Sequence, residues 1–478
     1  MAGAGVRSIA RNAGFTLVVR TWNILSRMLY LVVIARSFGP ETYGGLAYAQ
    51  SLYMMLLFVF VFGFRTLLSQ QLGLDKEKGA IISREILAIR LILLSLVFTS
   101  LILTGWLLHD DPLIQQLIFV MAVALVGRAL SWHCIDLFNA YERADLNLKP
   151  DLLLRSAELI TAIVIALVFH DILLVGIVHA ISWLVQAFVT FRITRKHFGV
   201  HKPLWNWTNF PPITKTAAPL ALAMVIGGTR FQWPIVAVKQ LGDTADVGNA
   251  SILINAMVVM STLAWSISSA STPVLTRSFH REDGKVQLYI LTLIRGFVFG
   301  GLLLFVCGEA ISNWLCEAVF GRQYPVAIEY AHYPLILLPA MSISATLSAT
   351  LLAMSRYWTI ALVRLTSAVL FIFLIYLLPR HNLVPAVLIA LGLSDGFAVI
   401  WQLLIFQRLK LLSFVKDLAP ILFVSAFVVT AYYKLVETSL TVAIGTALFL
   451  LAISLLFLLT KEERRGIWSL VNRLRIGH

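Results

Sequence analysis

Charge is scarce in this chain. Of its 478 residues only 13% are Asp, Glu, Lys or Arg, while 59% are hydrophobic. Soluble globular domains carry about 25% charged residues, and with a mean hydropathy of +0.86 this chain is not one of them. Cysteine is nearly absent: Cys134, Cys307 and Cys316 form no CxxC pair. That rules out a disulfide framework and a thiolate metal site. A bridge between Cys307 and Cys316 is an open question, although a free thiol is a common small buried hydrophobe. Long polar loops are missing too, since none on the outer side exceeds about 20 residues. Polytopic glycosyltransferases and polymerases present a sizeable outer loop. The one outer acidic pair, Asp110 and Asp111 in HDDP, reads as an ordinary turn before proline. No cleavable signal is evident: the first apolar segment is long, holds arginines and lacks a small-residue cleavage site.

Long apolar runs are there instead. Each has about 20 residues, enough to cross roughly 30 Å of hydrocarbon as a helix. The pattern predicts an all-α integral membrane protein with about fourteen spans. Six lie near 12–36, 43–68, 85–108, 113–139, 151–169 and 172–192, and six more near 213–240, 247–273, 288–307, 327–354, 358–378 and 383–406. The last two are near 418–436 and 440–460. Segment 308–326 reads as an amphipathic outer loop. About 23 Lys and Arg fall in one set of loops and the tail, against about 3 in the other, namely Arg36, Arg322 and Arg380. By the positive-inside rule both termini are cytoplasmic and the span number is even. That bias accounts for the +14 net charge without nucleic acid, for which no loop is long enough to build a face. The basic tail, 461–478, suits anionic lipid.

Within the spans the charges are mostly basic. Arg20 and Arg27 lie seven residues apart, so they share a face about 10 Å apart along the axis. A lipid-facing helix would not stack cations at such depths. Either a neighbouring helix supplies ion-pair partners, or the stripe faces an aqueous cavity that admits phosphate, which guanidinium binds with forked donors. Arg65, near a cytoplasmic end, can line the cavity or snorkel. Arg128, central in its span, needs water, a carboxylate or a ligand. Arg155 and Glu158 form an i, i+3 pair. Arg90, Arg295 and Arg364 are expected to snorkel, and His133 with Asp136 to share a local hydrogen bond. Arg230 sits beside Gly227, Gly228 and Pro234, in a span fit to be discontinuous and to bind a ligand. Arg36 and Lys239 lie at the outer mouth, where a gating role is weaker. Asp395 is a candidate for a coupling cation or proton, or for a structural pair. Trp183, Trp233 and Trp265 suit either core packing or stacking on sugar rings.

RMLYLVVIARSFGPETYGGLA, from Arg27, aligns with RFQWPIVAVKQLGDTADVGNA, from Arg230. Arg27 matches Arg230 and Gly39 matches Gly242 at an offset of about 203 residues. Transporters are often built from such repeats.

The stretch ARSFGPETYGGLAYAQSLYMML resembles the signature of the polysaccharide-transport branch of the multidrug/oligosaccharidyl-lipid/polysaccharide exporter superfamily. SATLLAMSRYWTIALVRL, 348–365, resembles that family's turn between its tenth and eleventh helices. The resemblance implies a pair of six-helix bundles, 1–200 and 201–410, around a central cavity, followed by two added helices over 411–460. It implies a flippase that moves undecaprenyl-diphosphate-linked oligosaccharide, an O-antigen or other repeat unit, across the bacterial inner membrane by alternating access. It implies no enzymatic step and no cofactor or metal. Partners are the lipid-linked glycan, membrane lipid and polysaccharide polymerase machinery. Related precursor flippases line the cavity with arginines from helices 1 and 2, to which Arg20, Arg27 and Arg65 correspond. Their helix-8 cation has no counterpart in 247–273, where Arg230 of the preceding span is the substitute. Arg20, Arg27, Arg65, Arg128 and Arg230 are thus the candidate substrate-binding cations. Alternatives are a peptidoglycan-precursor flippase, a drug or cation antiporter of the same superfamily, which would favour acidic cavity residues, and the polytopic enzyme. Reporter fusions in the 192–212 loop and at the C-terminus should both report cytoplasm; a periplasmic signal at either refutes this topology.

Overall fold

Backbone in hydrocarbon must satisfy its own hydrogen bonds, which leaves helices as the available form for such a sequence. The computed structural model describes residues 2–199, 201–281, 286–378, 382–413, 416–417 and 419–436, with side chains from Thr21 onward. The side chain of Arg20, the expected span over 440–460 and the basic tail lie outside the described residues. Among the described residues there are no strands. Eleven helical stretches are long and apolar enough to cross a membrane, and one of them, Thr21–Leu74, has 54 residues. That stretch is too long for one crossing. It belongs mainly to α1 (Ala2–Val61), which turns at Gly39, with φ 74° and ψ 174°. Glycine reaches this conformation freely, and Pro40 removes an N–H from the helical ladder.

The chain forms two compact units. The first comprises Met1–Ser251 with Val319–Tyr324 and Arg380–Val384. It holds α1, α2 (Phe64–Leu74), α3 (Lys76–Leu107), α4 (Pro112–Ala140), α5 (Asp145–Val164), α6 (Ile172–Phe198), α7 (Phe210–Thr229) and α8 (Trp233–Leu241). Its centre is the α4–α6 contact. A Cβ on Gly127 would lie 2.5 Å from the α6 backbone at Trp183 and Leu184, so glycine lets the two helices approach closely. The unit also takes in the start of α9 (Thr244–Ala270). The second unit holds the rest of α9, α10 (Thr272–Arg281), most of α11 (Val286–Phe320), α12 (Pro325–Glu329), α13 (Tyr333–Ala353), α14 (Tyr357–Leu377), most of α15 (Leu383–Arg408) and α16 (Ala419–Val436). Its core packs Ile290, Ile294, Leu302 and Phe305 of α11 with Leu347 and Leu351 of α13 and Phe406 of α15.

Two sequence expectations are corrected here. The second span is not continuous over 43–68, because Phe62 and Gly63 take positive φ and α2 begins anew at Phe64. A Cβ on Gly63 would meet the α7 backbone at Ala221 N, 2.9 Å away. The segment read as an outer loop, 308–326, continues α11 as helix to Phe320. Cys307 and Cys316, both free thiols on that helix, are therefore about 13 Å apart along its axis, too far to bridge.

The two matched turns meet each other inside the first unit. A Cβ on Gly44 would fall 1.9 Å from the carbonyl oxygen of Thr244, and one on Gly248 would fall 2.1 Å from that of Pro40. Gly44 and Gly248 are 204 residues apart, and so are Pro40 and Thr244. The shift of one from 203 is the extra residue of the second turn. A contact in which each turn presents the same glycine to the same carbonyl of the other is reciprocal, as at a two-fold interface. This supports a true duplication. Gly44→Val should destabilise the fold by about 3 kcal/mol or more by overpacking backbone on backbone. Gly73→Ala, with open space around it, should leave the fold intact. Membrane abundance and Tm of the two variants check this, and equal values would refute it.

Candidate functional site

The first unit carries a continuous polar chain through its apolar interior. Arg128 of α4 donates from Nη1 to the Tyr53 hydroxyl at 2.5 Å. The Tyr53 hydroxyl is 3.0 Å from His179 Nε2, and His179 Nδ1 is 2.6 Å from Glu158 Oε1. Glu158 Oε2 accepts from Arg155, one helical turn away on α5. Arg155 also donates to Ser182 and to Gln186 Oε1, each at 2.9 Å. Gln186 passes the chain to Asp151 at 3.0 Å, and Asp151 accepts from Asn23 of α1 at 2.6 Å. Two guanidinium groups lie against the Trp183 ring, with Arg155 Cζ 4.0 Å and Arg128 Cζ 4.5 Å from its centroid. The close approach at Gly127 is what brings Arg128, the next residue, within reach of α6.

Arg27 completes this group. Its guanidinium is within electrostatic range of Arg128, Tyr53 and Tyr43, yet the residue remains exposed. Arg27 and Arg128 are thus within electrostatic range of each other. Arg65 is placed elsewhere. It is half-exposed and 3.8 Å from Asp136. Arg230 occupies the unwound turn between α7 and α8, stacked on Phe231 at 4.9 Å. Asp395 is buried in α15 of the second unit. Trp233 donates its indole N–H to Thr229 at 2.9 Å. Among the described residues, no three His, Cys, Asp or Glu side chains are grouped to hold a metal ion.

A second cluster corrects the snorkelling expectation for Arg90. This residue is fully buried, donating to Asp136 at 2.7 Å and lying 3.1 Å from His133 Nδ1. It also stacks over Phe60 at 5.2 Å. His133 and Asp136 therefore serve Arg90 of α3 and not each other. Nothing in the local pattern of α3 marks this. The signal was the i, i+3 pair on α4, which offers an acceptor face to whatever helix packs there. Arg364 likewise does not snorkel; it donates to Ser348 at 3.1 Å.

The connection after α6 is strapped to this cluster. His201 Nε2 is 3.2 Å from His133 Nε2. Arg84 donates to the Lys202 carbonyl at 2.9 Å, and Glu85 accepts from Asn206 and Asn209 at 2.8 and 2.9 Å. Burial and then the nearby Arg84 guanidinium push the His201 imidazole down to about 4, against a hydrogen bond with the Ser83 backbone.

A model of the family described as polysaccharide biosynthesis protein matches residues 9–279, more than half of the chain. The chain belongs to that family. Its fold is similar to those of solved flippase and multidrug-transporter structures. It is similar to a structure of lipid II flippase MurJ in an inward closed conformation, with a TM-score of 0.64 and 15% identity, over 92% of this chain and 98% of that one. It is also similar to an inward-facing multidrug resistance MATE family transporter, with a TM-score of 0.60 and 13% identity, over 81% and 95% of the two chains. A eukaryotic MATE transporter, AtDTX14, gives a TM-score of 0.59 and 13% identity, over 86% and 97%. No curated protein sequence matches significantly. The family member described here is thus a multi-pass membrane protein with a transporter fold.

A titration tests the strapped connection. With the folded value of His201 near 4 and the unfolded one near 6.5, the unfolded chain binds more protons between those limits. Stability is therefore full above pH 6.5 and declines as pH falls towards 4, by on the order of 1 kcal/mol per unit at most. His201→Gln should flatten the fall in Tm measured between pH 7 and 5. Equal slopes in both proteins would refute the assignment.

Proposed function

We propose that the protein is a flippase that moves an undecaprenyl-diphosphate-linked oligosaccharide across the bacterial inner membrane, with both termini cytoplasmic. One observation carries this reading: the guanidinium groups of Arg27 and Arg128 lie within electrostatic range of each other inside the first unit. Arg128 gives one N–H to Tyr53, and its Nε has no protein acceptor. Two neighbouring cations repel each other, and a diphosphate relieves that repulsion while accepting their forked donors. Tyr53, Trp132 and Trp183, which lie against Arg128, hold it in place. Polyprenyl carbon stays in lipid while the head is carried by alternating access. The family's description in polysaccharide biosynthesis supports a glycan cargo, and the fold supports transport over catalysis. A drug or cation antiporter would set free carboxylates at this site, whereas Glu158 and Asp151 are fully engaged with neighbours. Arg20 and Arg230 stay in the proposed set, and Asp395 stays the candidate for a coupling ion. Arg65, tied to Asp136, guards the cytoplasmic side. Delivery to polysaccharide polymerase machinery follows.

Arg27→Ala should lower glycan export about tenfold or more while the protein stays folded, the loss expected for charge-assisted hydrogen bonds. Arg27→Lys should keep part of the activity, since a point charge replaces a fork. Arg155→Ala should instead lower protein abundance, because it leaves Glu158 buried without its cation. Surface glycan and membrane abundance measured in a deletion strain separate these effects. Normal glycan in a well-expressed Arg27→Ala, Arg128→Ala strain would overturn the reading.

A further inference from the structure

The second unit contains a half-buried cation, Arg364, that nothing described so far uses. Arg364 lies on the inward stripe of α14, with Ala361, Ser367 and Phe371, all buried, while Leu362, Leu365 and Val369 face outward. It is eight residues into the helix, about 10 Å from its start. Its Nη2 donates to Ser348 Oγ of α13 at 3.1 Å. Its Nη1 is shut off from solvent and has no hydrogen-bond partner. Among the described residues it makes no ion pair with a carboxylate. In the first unit, by contrast, Arg90 and Arg155 each touch an acid.

The surroundings of Arg364 are rich in donors. On α13 the hydroxyls of Ser342, Thr346 and Thr350 turn back to carbonyls of their own helix. Ser344 and Ser348 form the other stripe, one turn apart. Ser344 Oγ has no partner, and Ser348 Oγ receives both Arg364 and, at 2.8 Å, Gln402 Nε2 of α15. Gln402 Oε1 is also without a partner. Amide orientation is interchangeable. With the amide turned over, Ser348 donates to Gln402 Oε1, and Arg364 Nη1 and the Gln402 amide nitrogen are left as unsatisfied donors, with the Ser344 hydroxyl also free to donate. A guanidinium with a solvent-excluded, unsatisfied Nη1 and a neutral hydroxyl as its acceptor is the complement of an anion with several acceptor oxygens.

We propose that Arg364, Ser348 and Gln402 form an anion subsite in the second unit that takes a phosphate-type group. Two sources share that chemistry: the diphosphate of the translocated carrier, which rests on the flippase reading, and the headgroup of an anionic lipid, which does not.

Full-length protein in nanodiscs of phosphatidylcholine, with pyrophosphate as the probe, tests this. Pyrophosphate should raise Tm and bind about tenfold more weakly to Arg364→Gln, as expected for loss of a charge-assisted bond. Arg364→Lys should retain part of the affinity. Ser348→Ala, which spares the charge, should weaken binding less and covers the case in which Arg364→Gln fails to fold. In nanodiscs containing phosphatidylglycerol, a lipid-filled site abolishes the pyrophosphate response, and the lipid co-purifies with wild type but not with Arg364→Gln. A carrier site leaves the response intact. The Arg364-dependent part should persist in Arg27→Ala, Arg128→Ala protein, because those residues belong to the other unit. Its loss there would overturn a separate subsite. Unchanged pyrophosphate affinity and lipid retention in both Arg364→Gln and Ser348→Ala would overturn the proposal outright. Failure of the flippase reading would show in glycan export and leave these binding results standing.

Discussion

A charge in hydrocarbon must be neutralised or hydrated, and the first unit is arranged around that demand. The cost of an unpaired charge at the bilayer centre is at least about 3 kcal/mol, so long-range partners matter more here than helix propensity. Glu158 illustrates this. It takes Arg155 on its own helix and His179 from α6, and through His179 it reaches Tyr53 and Arg128. Four helices, α1, α4, α5 and α6, are thereby fixed to one another by polar contacts that a soluble protein would leave to water. Apolar packing alone does not align them, because lipid tails compete equally well for apolar side chains.

Close approach is the second requirement, and glycine supplies it at two kinds of place. At Gly127 the absence of a Cβ brings α4 onto α6, which puts Arg128 over Trp183. At Gly44 and Gly248 it lets the two matched turns interlock backbone to backbone. The first is a device of one bundle. The second is a relation between repeats, and its reciprocity is stronger evidence for duplication than the similarity of two apolar strings. Apolar segments resemble each other by chance; a paired contact under one offset does not.

Much of the fold was legible in the sequence because hydropathy and charge bias are one-dimensional signals. The turn at Gly39-Pro40 and the interruption around Arg230 were readable for the same reason: Gly and Pro act locally. Segment 308–326 misled because Glu309, Asn313 and Glu317 break the apolar run, yet a helix tolerates them where α11 leaves the core. At Phe62-Gly63 the break answers the α7 backbone, a partner about 155 residues away. Arg27 and Arg128 were legible as cations that need a polar neighbour, and Arg128 has one in the Tyr53 hydroxyl. Arg90 was not, since its acceptors sit on α4, 43 and 46 residues on. Depth along a helix says whether a cation can reach water; it does not say what faces it.

That distinction sorts the arginines by what they do. Arg90 and Arg155 meet carboxylates and lose their charge to the fold, so they hold helices together and have little left to offer a ligand. Arg128 ends its chain on a hydroxyl and two indole faces, none of which carries a negative charge, and beside it lies a second cation, Arg27. Arg364 ends on a serine. Arg128 and Arg364 thus differ from Arg90 and Arg155 in the acceptor each meets, a hydroxyl in place of a carboxylate. A guanidinium held by neutral groups keeps a charge that acceptor oxygens of an anion can complement, whereas one paired with a carboxylate has already been neutralised by the fold.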